Sequence, residues 1–372
     1  MLKPISLNDD RLRYPGYFNI YPIIHEVSQY GRSSSLQHKS FSDFLLDENY
    51  GRIINSEHVY GSSATMPYHL RDFPERVIGH FRVPMRKIPI YKFNTLSEIK
   101  PFLDLLNTRY PDFEVLLRGQ HKVYTIERSP EEKKMLFGEE LVKEPSLLPS
   151  FSRLDFNEFF IYNLWHSYTA MMLDDIGIDL RTRLLDYQHR DYLKDVTKIK
   201  GHPHFTFIAL GIAQHYGLPS VGLDLTKDIR VASWFASHHM DTEKGITTIR
   251  AASDFSDSTI FIFKCPKDQV FAHKQIKPKF IEHSRPDRQD AWFCHTGWGC
   301  AKNQAAENLI AAIRLDESVL GEFDIGYHRF LFPDRDEDLM LNFFLDVKES
   351  GDLKGEAKRA FEKIYKLHDL HL

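Results

Sequence analysis

The chain has 372 residues, of which 42% are hydrophobic and 27% charged, and its formal net charge is −4. This composition suits one large core or two modest ones; it excludes a disordered polyelectrolyte and a protein drawn to nucleic acid by overall positive charge. Three cysteines without metal-finger spacing, an early Asp9-Asp10-Arg11 and the lack of an apolar run of about 20 residues predict a cytoplasmic chain with no signal peptide, metal site or membrane span.

Residues 1–88 read as an N-terminal accessory region or an extension of the core. The run from Pro15 to Pro22 is aromatic, Ser33 to Ser35 form a loop, and Phe41 to Leu46 open a short helix. Clear periodicity starts at Thr95, which with Glu98 makes a capping box ahead of an apolar stripe of Leu96, Ile99, Leu103 and Leu106. Phe113 to Gln120 is a strand with Leu116, Arg118 and Gln120 on one face and Val115 and Leu117 on the other. An arginine at a strand end beside a glycine is placed to hold an anion with its planar fork of donors, although a structural ion pair is the commoner use.

The charged residues 121–145 predict a solvated loop or short helix, and Pro149 to Arg153 a turn with Arg153 as a second anion contact. A helix follows from Asp155, with Phe156, Phe160, Leu164, Tyr168, Met171 and Met172 on its buried face. Asp174 to Gly201 is charged and reads as an insertion. Phe205, Ile208 and Ile212 mark the helix that delivers Gln214 and His215.

The stretch from Gln214 to Ser237 organises the chain. Gly217 and Pro219 end one helix. A strand then alternates Val221, Leu223 and Leu225 with the small, hydroxylated face of Ser220, Gly222, Asp224 and Thr226, which invites close approach. Thr226 is the expected N-cap of the next helix, which buries Val231, Ala232, Phe235 and Ala236. Thr259 to Phe263 is a buried strand. Lys274, Lys277 and Lys279 make a basic run that either contacts phosphate or is a solvated face. The C-terminal part is largely helical, with Ala357, Phe361, Ile364 and His368 on one face.

Gln214-His215-x-Gly217-x-Pro219, Leu223-Asp224-x-Thr226 and Ala232-x-x-Phe235-Ala236 resemble the signature of the FRG domain. Leu117-Arg118-Gly119-Gln120, Leu148-Pro149-Ser150-x-x-Arg153 and Arg285-x-x-x-Gln289-x-Ala291-x-Phe293 agree with it. The resemblance spans roughly residues 90–300. It implies an FRG-like core over 89–300 and a mostly helical extension over 301–372. Ser220, Val221, Gly222 and Leu225 replace residues usual in the family, among them an arginine at Val221.

The order of these motifs resembles the ADP-ribosyltransferase fold, which implies an α+β protein with a mixed or split β-sheet core and surrounding helices. On that resemblance NAD is bound by Arg118, Gly119, Gln120, Arg153 and Ser220, and Asp224, Thr226, Gln289 and His215 serve the reaction. Gln289 cannot act as a base, since its amide does not titrate near neutral pH. His215, Asp224, Asp287 and Asp290 all stay open for that role. The implied activity is transfer of ADP-ribose from NAD to a protein or nucleic acid by a toxin or anti-phage defence effector held by a neutralising antitoxin. Hydrolysis of NAD would use the same site. The alternative is a non-catalytic nucleotide- or nucleic-acid-binding module that uses Arg118 and Arg153 for phosphate and His215 or Tyr216 for stacking.

Overall fold

The computed structural model describes residues 2–4, 44–55, 73–84, 86–243, 246–252, 255–297, 301–316 and 327–364. The run Pro15 to Pro22, the serines 33–35 and His368 lie outside them. The chain is α+β and forms two compact units, each assembled from separate segments. Among the described residues no helix is long and apolar enough to cross a membrane.

The larger unit takes Phe93–Lys122, Ser150–His295 and Ile313–Leu372. Its strands are β1 (Phe113–Gln120), β2 (Leu223–Thr226), β3 (His238–Glu243), β4 (Ile246–Ala251), β5 (Thr259–Pro266), β6 (Val270–Ala272) and β7 (Ala291–Cys294). Five of them lie in the order β6-β7-β2-β1-β5, and β3 and β4 make a separate hairpin. Every pairing among these strands is antiparallel. Neighbouring ladders differ in extent. β5 and β1 pair at eight positions, from Thr259 with Gln120 to Pro266 with Phe113, whereas β1 and β2 pair only at Leu117 and Thr226.

The unit's longer helices are α1 (Leu96–Arg109), α2 (Glu158–Arg183), α3 (Asp186–Lys200), α4 (Phe205–His215), α5 (Ile229–Ser237), α6 (Leu339–Glu349) and α7 (Gly355–Phe361). Thr95 caps α1 as its sequence predicts, its hydroxyl accepting from the Glu98 amide. The α1 stripe buries Phe102 together with Leu96, Ile99 and Leu106. α4 is apolar on all sides and lies in the core with Trp165, Met172 and Ile176 of α2 and Phe344 of α6. It ends where expected, with Gly217 at a φ of 78°. Asp338 caps α6 by accepting from the Met340 and Leu341 amides, and it also receives the Tyr216 hydroxyl and the Arg285 amide.

Some expectations change. The stripe predicted on α2 holds at Phe156, Leu164 and Met172, with Phe160 and Tyr168 packed against the core, but Met171 faces outward, and Ile161, Trp165 and Ile176 complete the buried face. The charged stretch from Asp174 to Gly201 is regular helix through the end of α2 and α3. Lys274 and Lys277 pair with Asp290 and Asp287, so the basic run is largely neutralised.

Two histidines are held neutral by burial. His295 receives or donates a hydrogen bond at the Tyr162 hydroxyl, lies 4.1 Å from the Phe207 ring, and has its pKa lowered to about 4. His273 is pushed well below the usual range by burial and by nearby His215 and Lys277. The unfolded chain protonates such imidazoles near pH 6.5, so it binds more protons than the folded chain as the pH falls toward 4. Stability should therefore drop on acidification, by up to about 1.4 kcal/mol per pH unit for each histidine. Denaturant titrations across this range should show the slope, and His295→Gln should make it shallower.

The smaller unit takes residues 1–92, 123–149 and 296–312. Leu2–Pro4, Phe44–Asp47 and Arg52–Asn55 form a three-stranded antiparallel sheet, so the expected short helix at Phe41 to Leu46 is replaced by a strand over its described part. Val77–Val83 and Arg86–Lys92 form a hairpin. Pro130–Phe137 is helical behind a Ser129–Glu132 capping box. Glu144, expected in a solvated segment, is buried instead. It binds the buried Arg128, which also binds Asp47, and it accepts from the Tyr50 hydroxyl. Burial alone would disfavour the charge on Arg128; the Glu144 and Asp47 carboxylates around it keep its guanidinium charged.

Candidate functional site

The larger unit has a cavity where β1 and β2 part. Beyond the Leu117–Thr226 pair, the Asp224 carbonyl accepts a hydrogen bond from Arg118 Nη1 at 2.7 Å. A side-chain donor from β1 thus binds the β2 backbone beside the parting. Gly119, the next residue, lies against α5: a Cβ built on it would sit 1.7 Å from the Ala232 carbonyl oxygen and 2.7 Å from the Ala236 nitrogen. The Arg-Gly pair therefore has two tasks. Arg118 holds β2, and Gly119 admits the backbone of α5.

The cavity has a volume of about 160 Å³. An engineered cavity of about 150 Å³ takes up benzene, so there is room for one aromatic ring. Arg118, Arg153, Gln214, His215, Asp224 and Gln289 supply its polar wall. Leu117, Val231, Phe235, Met240 and Phe332 supply the apolar one. Thr226 and Gly119 also line it, whereas Ser220 and Gln120 do not.

Each polar group is positioned by its neighbours. His215 ends α4 and is buried, and its Nδ1 lies 2.9 Å from Asp224 Oδ1. The Asp224 side chain is 34% exposed, so this carboxylate reaches the cavity while its partner is enclosed. The His273 ring meets His215 edge-on behind the wall, with centroids 5.9 Å apart. Gln214 is fixed by a relay. The Ser150 hydroxyl accepts from the Ser220 amide at 3.0 Å, which leaves its proton to donate to Gln214 Oε1 at 2.9 Å. That orientation turns the Gln214 amide NH₂ into the group that can serve an occupant. Arg153 is exposed at the end of the 3₁₀ turn Phe151–Arg153, with no carboxylate partner among the described residues.

Thr226 and Gln289 have structural tasks that differ from those expected. The Thr226 hydroxyl donates to the Gln289 carbonyl at 2.8 Å and accepts from the Asp228 amide at 3.0 Å. The N-cap of α5 is Asp228, which accepts from the Arg230 amide, so Thr226 is not the cap. Gln289 donates its amide to the Leu331 carbonyl at 3.0 Å. Both residues are buried walls, with the Thr226 hydroxyl and the Gln289 side-chain nitrogen bound to the protein. Ser220, expected to face a ligand, is buried and donates to the Leu210 carbonyl at 2.7 Å. The strand starts only at Leu223, after a Gly222 with a φ of 128°, so the predicted alternation does not extend back to Ser220.

This placement narrows the acid–base candidates. Asp287 and Asp290 are bound by Lys277 and Lys274 and do not line the cavity, whereas His215 and Asp224 do. Phe235 was legible only as a buried helix position, and Met240 and Phe332 had no sequence signal for a site. Phe332 follows the short helix Tyr327–Leu331, more than 100 residues beyond β2, and no local pattern announces that contact.

Comparison with protein families matches residues 138–245 to the FRG domain. The chain carries an FRG domain over that range, which contains Ser150, Arg153, Gln214, His215, Asp224 and Thr226. Arg118, Gly119 and Gln289 lie outside the matched range, in segments that the fold brings to the same cavity. No curated protein and no solved structure matches the chain.

Proposed function

We propose that the cavity is the NAD site of an ADP-ribosyltransferase built around the FRG domain. The observation that carries the reading is convergence. Arg118 of β1, the His215–Asp224 pair of α4 and β2, and Arg153 meet around space for one aromatic ring. The antiparallel sheet, split between β1 and β2, supports assignment to the ADP-ribosyltransferase-like type.

In this reading the two guanidinium groups hold the pyrophosphate, and the apolar wall of Phe235, Met240 and Phe332 receives the nicotinamide ring. Cleavage of the nicotinamide–ribose bond develops positive charge on the ribose, and the Asp224 carboxylate stabilises it. His215 orients that carboxylate, a positioning role, and the Gln214 amide binds a ribose hydroxyl. Gln289 and Thr226 keep the wall in place. The acceptor is a protein or nucleic acid, and the biological role is that of a toxin or anti-phage defence effector restrained by a neutralising partner.

Arg118→Lys tests the phosphate contact. A point charge cannot reproduce the planar fork, and the expected loss is about 1–3 kcal/mol of NAD binding free energy. Calorimetry should show that loss with the variant folded, melting temperature being followed because Arg118 also binds β2. Unchanged NAD affinity would contradict the assignment. NAD binding without turnover in the wild type would favour a non-catalytic nucleotide-binding module.

A further inference from the structure

α2 carries an apolar stripe on the face opposite its buried one. Ile178 is 71% exposed and Met171 54%, and Leu185 continues the seven-residue spacing just past the helix end at 61%. At about 100° per residue, Met171 lies within about 20° of Ile178, directly opposite the core stripe of Thr169, Ile176 and Leu180. α3 extends this surface on one flank. A Cβ on Gly177 would lie 3.8 Å from Leu193 Cδ2, and Leu193 is itself 45% exposed. Met171 and Ile178 recur in line along one helix face rather than being scattered over it.

The charges beside the stripe identify what covers it. Asp174 and Arg181 both lie on the α3 flank of Ile178, four residues before it and three after. Asp174 is 60% exposed and accepts from Lys200 Nζ at 2.7 Å, and Arg181 is exposed with no ion-pair partner among the described residues. A two-fold axis through Ile178 sets the helix antiparallel to its own copy. Ile178 then meets Ile178, and Asp174 meets Arg181 on the same flank at nearly the same height. The pattern is complementary to itself, as an isologous interface requires. We infer that the outer face of α2 is the contact between two copies of this chain. This inference is independent of the proposed NAD site.

Sedimentation equilibrium of the full chain up to tens of micromolar tests it. The wild type should be dimeric, and Ile178→Asp should be monomeric with an unchanged melting temperature. Asp174→Arg alone sets arginine against arginine, and Arg181→Asp alone sets aspartate against aspartate. Each should weaken self-association by about tenfold. An equimolar mixture of these two variants places opposite charges at both contacts, so it should associate with wild-type strength. A wild type that stays monomeric would overturn the inference and leave the stripe to a different protein. So would a dimer indifferent to Ile178→Asp, or a mixture no tighter than its components.

Discussion

Gly119→Ala is expected to lower the unfolding free energy of the larger unit by about 3 kcal/mol or more, at the top of the range for overpacking. The added methyl would sit 1.7 Å from one backbone atom of α5 and 2.7 Å from another. Neither is the end of a flexible side chain, so the clash is relieved only by moving the helix or the strand. β1 is held at eight positions by β5, which makes the helix the part that must move. α5 carries Val231, Phe235 and the Asp228 cap, so its displacement would also open the cavity. Gly79→Ala is the control, because its Cβ would meet only Ile90 Cδ1, at an ordinary 3.8 Å. Denaturant unfolding should separate the two. A Gly119→Ala protein within about 0.5 kcal/mol of wild type would mean that α5 does not need this glycine.

The parts legible in sequence are those fixed by local physics. Periodicity located β1, β5, α1 and α4, and the glycine and proline after His215 located a helix end. What local patterns could not show is how side chains are used after distant segments meet. Thr226 looked like an N-cap because a threonine before an acidic first turn has the right chemistry, yet Asp228 stands closer to the first turn and takes the task. Ser220 looked ligand-facing from alternation, and the turn at Gly222 breaks that alternation. Met171 looked buried because α2 has apolar residues on more than one face, and only its packing partners decide which face turns inward. Glu144 reads as solvent-facing until Arg128, Asp47 and Tyr50 are brought around it. Phe332 reaches the cavity from a segment whose own sequence carries no motif.

The most direct test of the proposed NAD site is turnover by Asp224→Asn. Asparagine keeps the size of the side chain but removes the negative charge that the proposal places beside the ribose. Losing one electrostatic stabiliser of a developing charge typically costs about 10²–10³ in rate. Purified wild type should release nicotinamide from NAD and leave ADP-ribose on a macromolecule, while the variant binds NAD with similar affinity and turns it over at least about a hundredfold more slowly. Nicotinamide release at the wild-type rate by a folded Asp224→Asn protein, or none from the wild type with its acceptor-containing extract, would contradict the catalytic account.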